Sequence, residues 1–356
     1  MSVRRKPTSK RNALPKDFEE LLKTGDLAKL EAVFDACDVD ARGGYAKRTA
    51  LAFDDCPDAL ARWLVAKGAD LSATDASGST PLHCRARSWR GSVAMLLELG
   101  ADVHSTSASI GTPLHAAADG KRAENARLLL AAGANVDAKN DDRLTPLELA
   151  LRGCSNADLD RMPALVRVML EAGAARTPAM KEMVEQIGKT FEFHREAYNP
   201  ESVAEANAAL DFLYATFDVP PVPRRQEQDR GTPIAVKATT WQKQHAELWE
   251  LLVPSKGPAK TVQGEVIRIA GRISDEWERN GGVNWDRDYS EMALALLSHV
   301  GTGVALAAAE VEEIASIVKS LSRSGGAGND RLAALAVGWV LQNPKPVPLP
   351  KPSYRR

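Results

Sequence analysis

The chain has 356 residues, more than one ordinary core accommodates, so two domains are expected. With 46 basic and 47 acidic residues its net charge is −1, which supplies no global field for nucleic acid or a membrane surface. No window reaches the roughly 18 uninterrupted apolar residues of a transmembrane helix, the most apolar run being 300–309. The start, Met1-Ser2-Val3-Arg4-Arg5-Lys6, has no apolar core of the kind a secretory signal carries. Cys37, Cys56, Cys84 and Cys154 are irregularly spaced and form no C-x-x-C. They read as small buried hydrophobes in a reducing compartment, neither a disulfide framework nor a zinc site. A cytoplasmic protein without a cofactor is expected.

Residues 1–16 hold six basic residues and no acid, which reads as a disordered basic tail and only weakly as a nucleic-acid contact. A helical half-unit follows, from Phe18 through Leu30 and Phe34 to Asp38-Val39-Asp40. Next comes Thr49-Ala50-Leu51, ending at Gly68-Ala69-Asp70. The pattern then sharpens into Thr80-Pro81-Leu82-His83, Thr112-Pro113-Leu114-His115 and Thr145-Pro146-Leu147-Glu148, spaced 32 and 33 residues apart. Leu-rich stretches follow, closed by Gly100-Ala101, Gly133-Ala134 and Gly173-Ala174. Asp75 and Gly78 suit a tight turn, Thr80 can cap a helix, Pro81 fits its first turn, and Gly100 ends the second helix. The last unit needs 28 residues from Thr145 to Gly173 where the one before needs 21, so a longer loop is expected at 153–160.

A period of about 33 residues carrying T-P-L-H resembles the ankyrin repeat, and the resemblance covers residues 17–175. It implies a solenoid of helix pairs with hairpin tips, a binding surface in place of a catalytic pocket, and a structural hydrogen-bonding role for His83 and His115. Stacking of neighbours is required, because a lone pair of short helices cannot bury its apolar faces. One repeat separates the two histidines, too far for a shared metal at the ~2 Å ligand distance.

The departures from the pattern carry the functional expectation. Where the family usually has small residues, this chain reads Cys84-Arg85-Ala86-Arg87-Ser88-Trp89-Arg90. Arg and Trp are enriched at interface hot spots, so Arg85, Arg87, Trp89 and Arg90 are candidate partner contacts near the concave face. The competing reading has the arginine stems lying over apolar surface and Trp89 packing on the next unit. Tip residues Tyr45, Lys47 and Arg143 are the other candidates.

Beyond residue 175 the repeat ends. Met180, Met183, Val184, Ile187 and Phe191, then Ala206, Leu210, Leu213 and Phe217, are helically spaced and suit a capping segment over 176–217. Residues 218–236 read as a Pro-rich linker. A helical bundle is expected over 237–342, from five stripes. These are Trp241 to Leu252; Val262, Val266, Ile269, Ile273 and Trp277; Met292, Leu296 and Val300; Val311, Ile314 and Val318; and Leu332, Leu335 and Trp339. Gly281-Gly282 and Gly325-Gly326 mark turns. The tail 343–356, with proline at every second residue from Pro344 to Pro352, is expected to be extended and disordered. The fold class is therefore all-α, an ankyrin solenoid followed by a helical bundle.

A non-enzymatic interaction protein is the expectation, binding a protein partner through the concave face and tips as an inhibitor or regulator. The alternative is an enzyme whose bundle holds Glu265, Asp275, Glu276, Asp286, Asp288 and His299 in one cleft, with the solenoid selecting substrate. No motif of a hydrolase, metalloprotease or P-loop supports it. The two readings differ in whether those side chains converge.

Overall fold

Threonine followed by proline starts each well-formed inner helix, because the threonine backbone stays extended and proline needs no intrahelical N–H at the first turn. In the computed structural model, which describes residues 10–225, 232–321 and 328–355, the chain forms a series of helix pairs, of which the last three start by this rule. The first pair is α1 (Phe18–Thr24) and α2 (Leu27–Ala36). The next unit has only α3 (Asp58–Ala66), its inner helix being reduced to a 3-10 turn over Ala50–Ala52. The turn stops there because Phe53 takes extended backbone (φ −81°, ψ 136°). Regular pairs follow: α4 (Pro81–Arg87) with α5 (Ala94–Glu98), α6 (Pro113–Asp119) with α7 (Ala123–Ala131), and α8 (Pro146–Arg152) with α9 (Met162–Glu171). The sequence pattern did not foresee a small sheet at the start. In it β1 (Arg11–Ala13) pairs parallel with β2 (Cys37–Gly43), which pairs antiparallel with β3 (Arg48–Thr49).

Each T-P-L-H histidine ties its own unit to the next. His83 Nδ1 lies 3.3 Å from the Thr80 backbone N–H and 2.8 Å from its hydroxyl, while Nε2 lies 2.9 Å from the Gly111 carbonyl. His115 repeats this with Thr112 and the Leu144 carbonyl, at 3.1, 2.9 and 3.0 Å. A backbone N–H only donates and a carbonyl only accepts, so each ring is the neutral tautomer protonated at Nε2. In the last unit Glu148 stands in the same place: it accepts from the Thr145 N–H at 2.8 Å and from the Thr177 hydroxyl at 2.8 Å. Burial opposes its charge, yet the Thr145 N–H, the Lys139 ammonium and the Thr177 hydroxyl hold its carboxyl down at about 2.

At the far ends of the helices other side chains couple the units. Arg85 donates to the Leu51 and Cys56 carbonyls (2.9 and 3.0 Å), Asn125 Nδ2 reaches the Arg85, Ala86 and Gly91 carbonyls, and Lys121 Nζ bridges the Asp119 and Gly153 carbonyls. All four cysteines are free thiols. Burial pushes Cys56 up to about 11, and Cys84 and Cys154 up to about 12.

The helices α10 (Pro178–His194) and α11 (Pro200–Phe217) come next, and α11 packs on α9. The chain divides into two units: Met1–Thr190 with Pro200–Val222, and Phe191–Asn199 with Pro223–Arg356. The expected segment 176–217 is thus split, with Phe191–Asn199 clustering with the second unit. There the five stripes form α12 (Trp241–Leu252), α13 (Val262–Asn280), α14 (Arg287–Val300), α15 (Ala308–Leu321) and α16 (Asn329–Gln342). Their core includes Leu248, Val266, Ile269, Ile273, Met292, Leu296, Ile314, Leu332 and Trp339. No helix among the described residues is long and apolar enough to cross a membrane. Residues 1–9 of the basic tail, 226–231 of the linker and the Gly325-Gly326 turn lie outside the described residues.

Two expected disordered segments are ordered where described. Residues 10–16 contribute β1 and the buried Leu14. The Pro-rich tail forms a strap on the second unit: Pro344 O accepts from Ile234 N, Val347 O from Val262 N, and Lys260 O from Leu349 N. Gln263 Nε2 donates to the Asn343 and Lys345 carbonyls, and its Oε1 accepts from Val347 N. The extended backbone that alternating prolines enforce leaves carbonyls free for such partners. Tyr354 ends the strap, its hydroxyl 2.6 Å from the fully buried Glu265, which also pairs with Arg268 at 2.6 Å.

Burial lowers the pKa of both His83 and His115 from the ordinary 6.5. Their contribution is complete above pH 6.5 and is lost as pH falls through the lowered folded values, because protonating Nδ1 removes the acceptor for the threonine N–H. His115→Ala should lower stability by about 1–3 kcal/mol and reduce its loss on acidification, as read by denaturant titrations between neutral and acid pH. Tyr354→Phe should destabilise the second unit by about 1–3 kcal/mol, since Glu265 loses a buried donor; an unchanged melting profile would contradict the strap's role.

Candidate interaction surface

An inner and an outer helix run antiparallel, so the turn between them and the hairpin tip lie at opposite ends of each pair. That separates the sequence candidates into two groups. Arg87, Trp89 and Arg90 lie on the turn edge, while Tyr45, Lys47 and Arg143 lie on tips. Arg85 belongs to neither group. It is 2% exposed and its guanidinium is committed to the Leu51 and Cys56 carbonyls, so its expected role as a partner contact is corrected to a scaffold role. The α4 face it occupies points into the previous unit, and a buried guanidinium there must be satisfied by carbonyls.

Trp89 is 64% exposed and follows the Ser88 cap of α4. The guanidinium carbons of Arg122 and Arg161 each sit 4.8 Å from its ring centroid. Arg122 also donates to the Trp89 carbonyl at 2.6 Å. Arg161 comes from the last unit. The additional loop there forms a 3-10 turn (Asn156–Asp158), and Arg161 donates from it to the Ala157 carbonyl and to Asp158 at 2.8 and 2.9 Å. Three successive units therefore meet at one indole. Burial and the adjacent Arg161 charge lower the pKa of Arg122 from its ordinary value. Each cation–π contact at such a site contributes about 0.5–1 kcal/mol, enough to fix the ring without covering it. A cavity of about 310 Å³ opens beside it, walled also by Lys121, Glu124 and Asp160.

The flanking arginines are partly neutralised: Arg87 pairs with Asp119 at 2.8 Å and Arg90 with Asp55 at 3.3 Å. Charge alone therefore does not distinguish this edge. Sequence reasoning missed Arg122 and Arg161. Arg122 looks like an ordinary turn residue, and Arg161 reaches Trp89 only because of the inserted loop, whose sole sequence signal is its length.

The tips are held by a repeated backbone register. Asp75 N donates to the Ser79 carbonyl at 2.9 Å, and Asn140 N to the Leu144 carbonyl at 3.1 Å. Gly78 has φ 78°, and the matching Arg143 has φ 61°. Lys47, beside the fully exposed Tyr45 on the β2–β3 hairpin, has φ 55°. Left-handed backbone costs a side-chain-bearing residue about 1–2 kcal/mol. Tyr45 and Lys47 are three tips from Arg143, roughly 30 Å at helix-stacking distances, so the tip candidates do not form one cluster.

The nominated catalytic side chains serve separate structural tasks. Glu265 and Glu276, both on α13, are roughly 16 Å apart along the helix. Glu265 is paired with Arg268; Glu276 accepts the Asn284 N–H at 2.6 Å and holds the 280–284 turn. Asp286 caps α14 by accepting from Tyr289 N at 3.0 Å, and Asp288 lies in that helix's first turn. Asp275 pairs with Arg279 at 2.8 Å, and His299 ends α14 with its pKa lowered by burial. The Glu265 charge opposes that lowering, so these two of the six side chains interact.

Residues 95–150 match the family model described as ankyrin repeats in many copies, which spans α5 to α8. This stretch of the first unit is similar to ankyrin repeats, which suggests a module of protein–protein interaction. Comparison with curated proteins gives no match.

Glycine at either left-handed tip position removes the steric penalty. Arg143→Gly should therefore stabilise the protein by about 0.5–1 kcal/mol in thermal or denaturant unfolding; a loss of stability would show that the arginine side chain itself holds the tip.

Proposed function

We propose that the first unit docks a protein partner along the edge of inter-helix turns, with Trp89 as the anchor, and that this docking inhibits or regulates the partner. The observation that carries the reading is the exposed indole fixed by guanidiniums from two further units. It is a large apolar surface already ordered before binding, beside a pocket that can receive a partner side chain. The partner's contact surface would cover the indole and offer carbonyl or carboxylate oxygens to Arg122 and Arg161. Tyr45 with Lys47 on one tip and Arg143 on another would be separate secondary contacts, Lys47 and Arg143 being side chains kept on left-handed backbone.

Affinity capture from a lysate with the intact chain tests this, with bound proteins quantified by mass spectrometry. Trp89→Ala combined with Arg161→Glu should reduce capture of the specific partner at least ~30-fold, the equivalent of a 2 kcal/mol hot spot. Tyr45→Ala should weaken it less. Equal capture by the wild-type and the Trp89/Arg161 variant would refute the proposed anchor.

A further inference from the structure

A cleft of about 770 Å³ opens in the second unit, with His245, Trp249, Lys256, Arg272, Arg279 and Arg355 among its lining residues. Its floor is one face of α13. Arg268, Arg272, Asp275 and Arg279 recur at helical intervals of three and four residues and so project to the same side. Arg268 is committed to Glu265 and Arg279 to Asp275, at 2.6 and 2.8 Å. Lys256, Arg272 and Arg355 have no ion-pair partner among the described residues, and all three are exposed to the cleft. Three uncompensated cations around one cavity repel one another until an anion enters.

The wall is aromatic and tightly built. His245 and Trp249, one turn apart on α12, lie over Gly271 of α13, where an added Cβ would come 2.5 Å from the Trp249 ring. Phe193 is nearly parallel to Trp249, at 18° with centroids 6.4 Å apart. Arg225 covers Phe193 at 4.5 Å and donates to the Trp249, Glu250 and Val253 carbonyls, which fixes the end of α12. On the opposite rim, the bond from Tyr354 to Glu265 positions the neighbouring Arg355.

We propose that this cleft binds a small phosphorylated ligand bearing a planar ring, of the nucleoside di- or triphosphate class. Its volume falls in the roughly 300–1,000 Å³ range of small-ligand sites. Arginine and lysine heads of this kind take phosphate oxygens as bidentate and point-charge donors, and the half-buried wall of Phe193, His245 and Trp249 offers aromatic edges for the ring. This proposal does not rest on the function proposed for the first unit.

Isothermal titration of the intact chain at low salt with ATP, ADP, inorganic pyrophosphate, adenosine and a short oligo-dT decides it. ATP and ADP should bind, with affinity falling as salt rises. Pyrophosphate should bind at least tenfold more weakly than ATP, and adenosine should not saturate. Arg272→Glu and Lys256→Glu should each weaken ATP at least tenfold while leaving the melting temperature unchanged. The proposal fails if neither ATP nor ADP binds at millimolar concentration, or if ATP affinity survives both substitutions. Pyrophosphate binding as tightly as ATP would overturn the role of the ring, and oligo-dT binding tighter than ATP would replace the nucleotide with a nucleic-acid strand.

Discussion

A helix pair with arms of five to ten residues cannot bury its own apolar face, so each unit of the solenoid depends on its neighbour. The imidazole of T-P-L-H answers that constraint with one ring. Its Nδ1 serves the helix start of its own unit, and its Nε2 reaches the tip of the next. Glu148 and Thr177 continue the same link past the last repeat into α10. The histidines are occupied at both nitrogens, which is why they are scaffold and why the functional chemistry lies elsewhere.

Coupling at the far ends of the helices has a different character. There Arg85, Lys121 and Asn125 satisfy carbonyls across units, and Arg122 and Arg161 extend the same inter-unit reach to an indole that remains exposed. Under the proposed reading, rigidity and recognition share a location. An anchor assembled from three units is ordered only when those units are stacked, so a binding surface of this kind reports on the integrity of the solenoid itself.

Periodicity made most of the architecture legible. The recurring T-P-L placed α4, α6 and α8, and apolar stripes placed α12 to α16, because the first is a local motif at the repeat period and the second a pattern at the helical period. What escaped was long-range or conformational. Arg85 and Arg87 share a sequence context, yet one is buried against carbonyls and the other pairs with Asp119 at the surface. Alternating prolines suggested a disordered tail, because propensity shows the extended backbone but not Gln263 and Glu265, some 80 residues earlier, which hold it. The cleft residues were individually visible as parts of stripes and loops. Their common charge emerges only where α12, α13 and the strap meet.

The central functional claim is that Trp89 becomes covered when the protein engages its partner. Oxidative footprinting of the intact chain, free and in complex with the captured partner, measures this directly by mass spectrometry. Oxidation of Trp89 should fall several-fold on binding, with the buried Trp339 unreactive in both states. Trp89 as reactive in the complex as in the free protein would contradict the account.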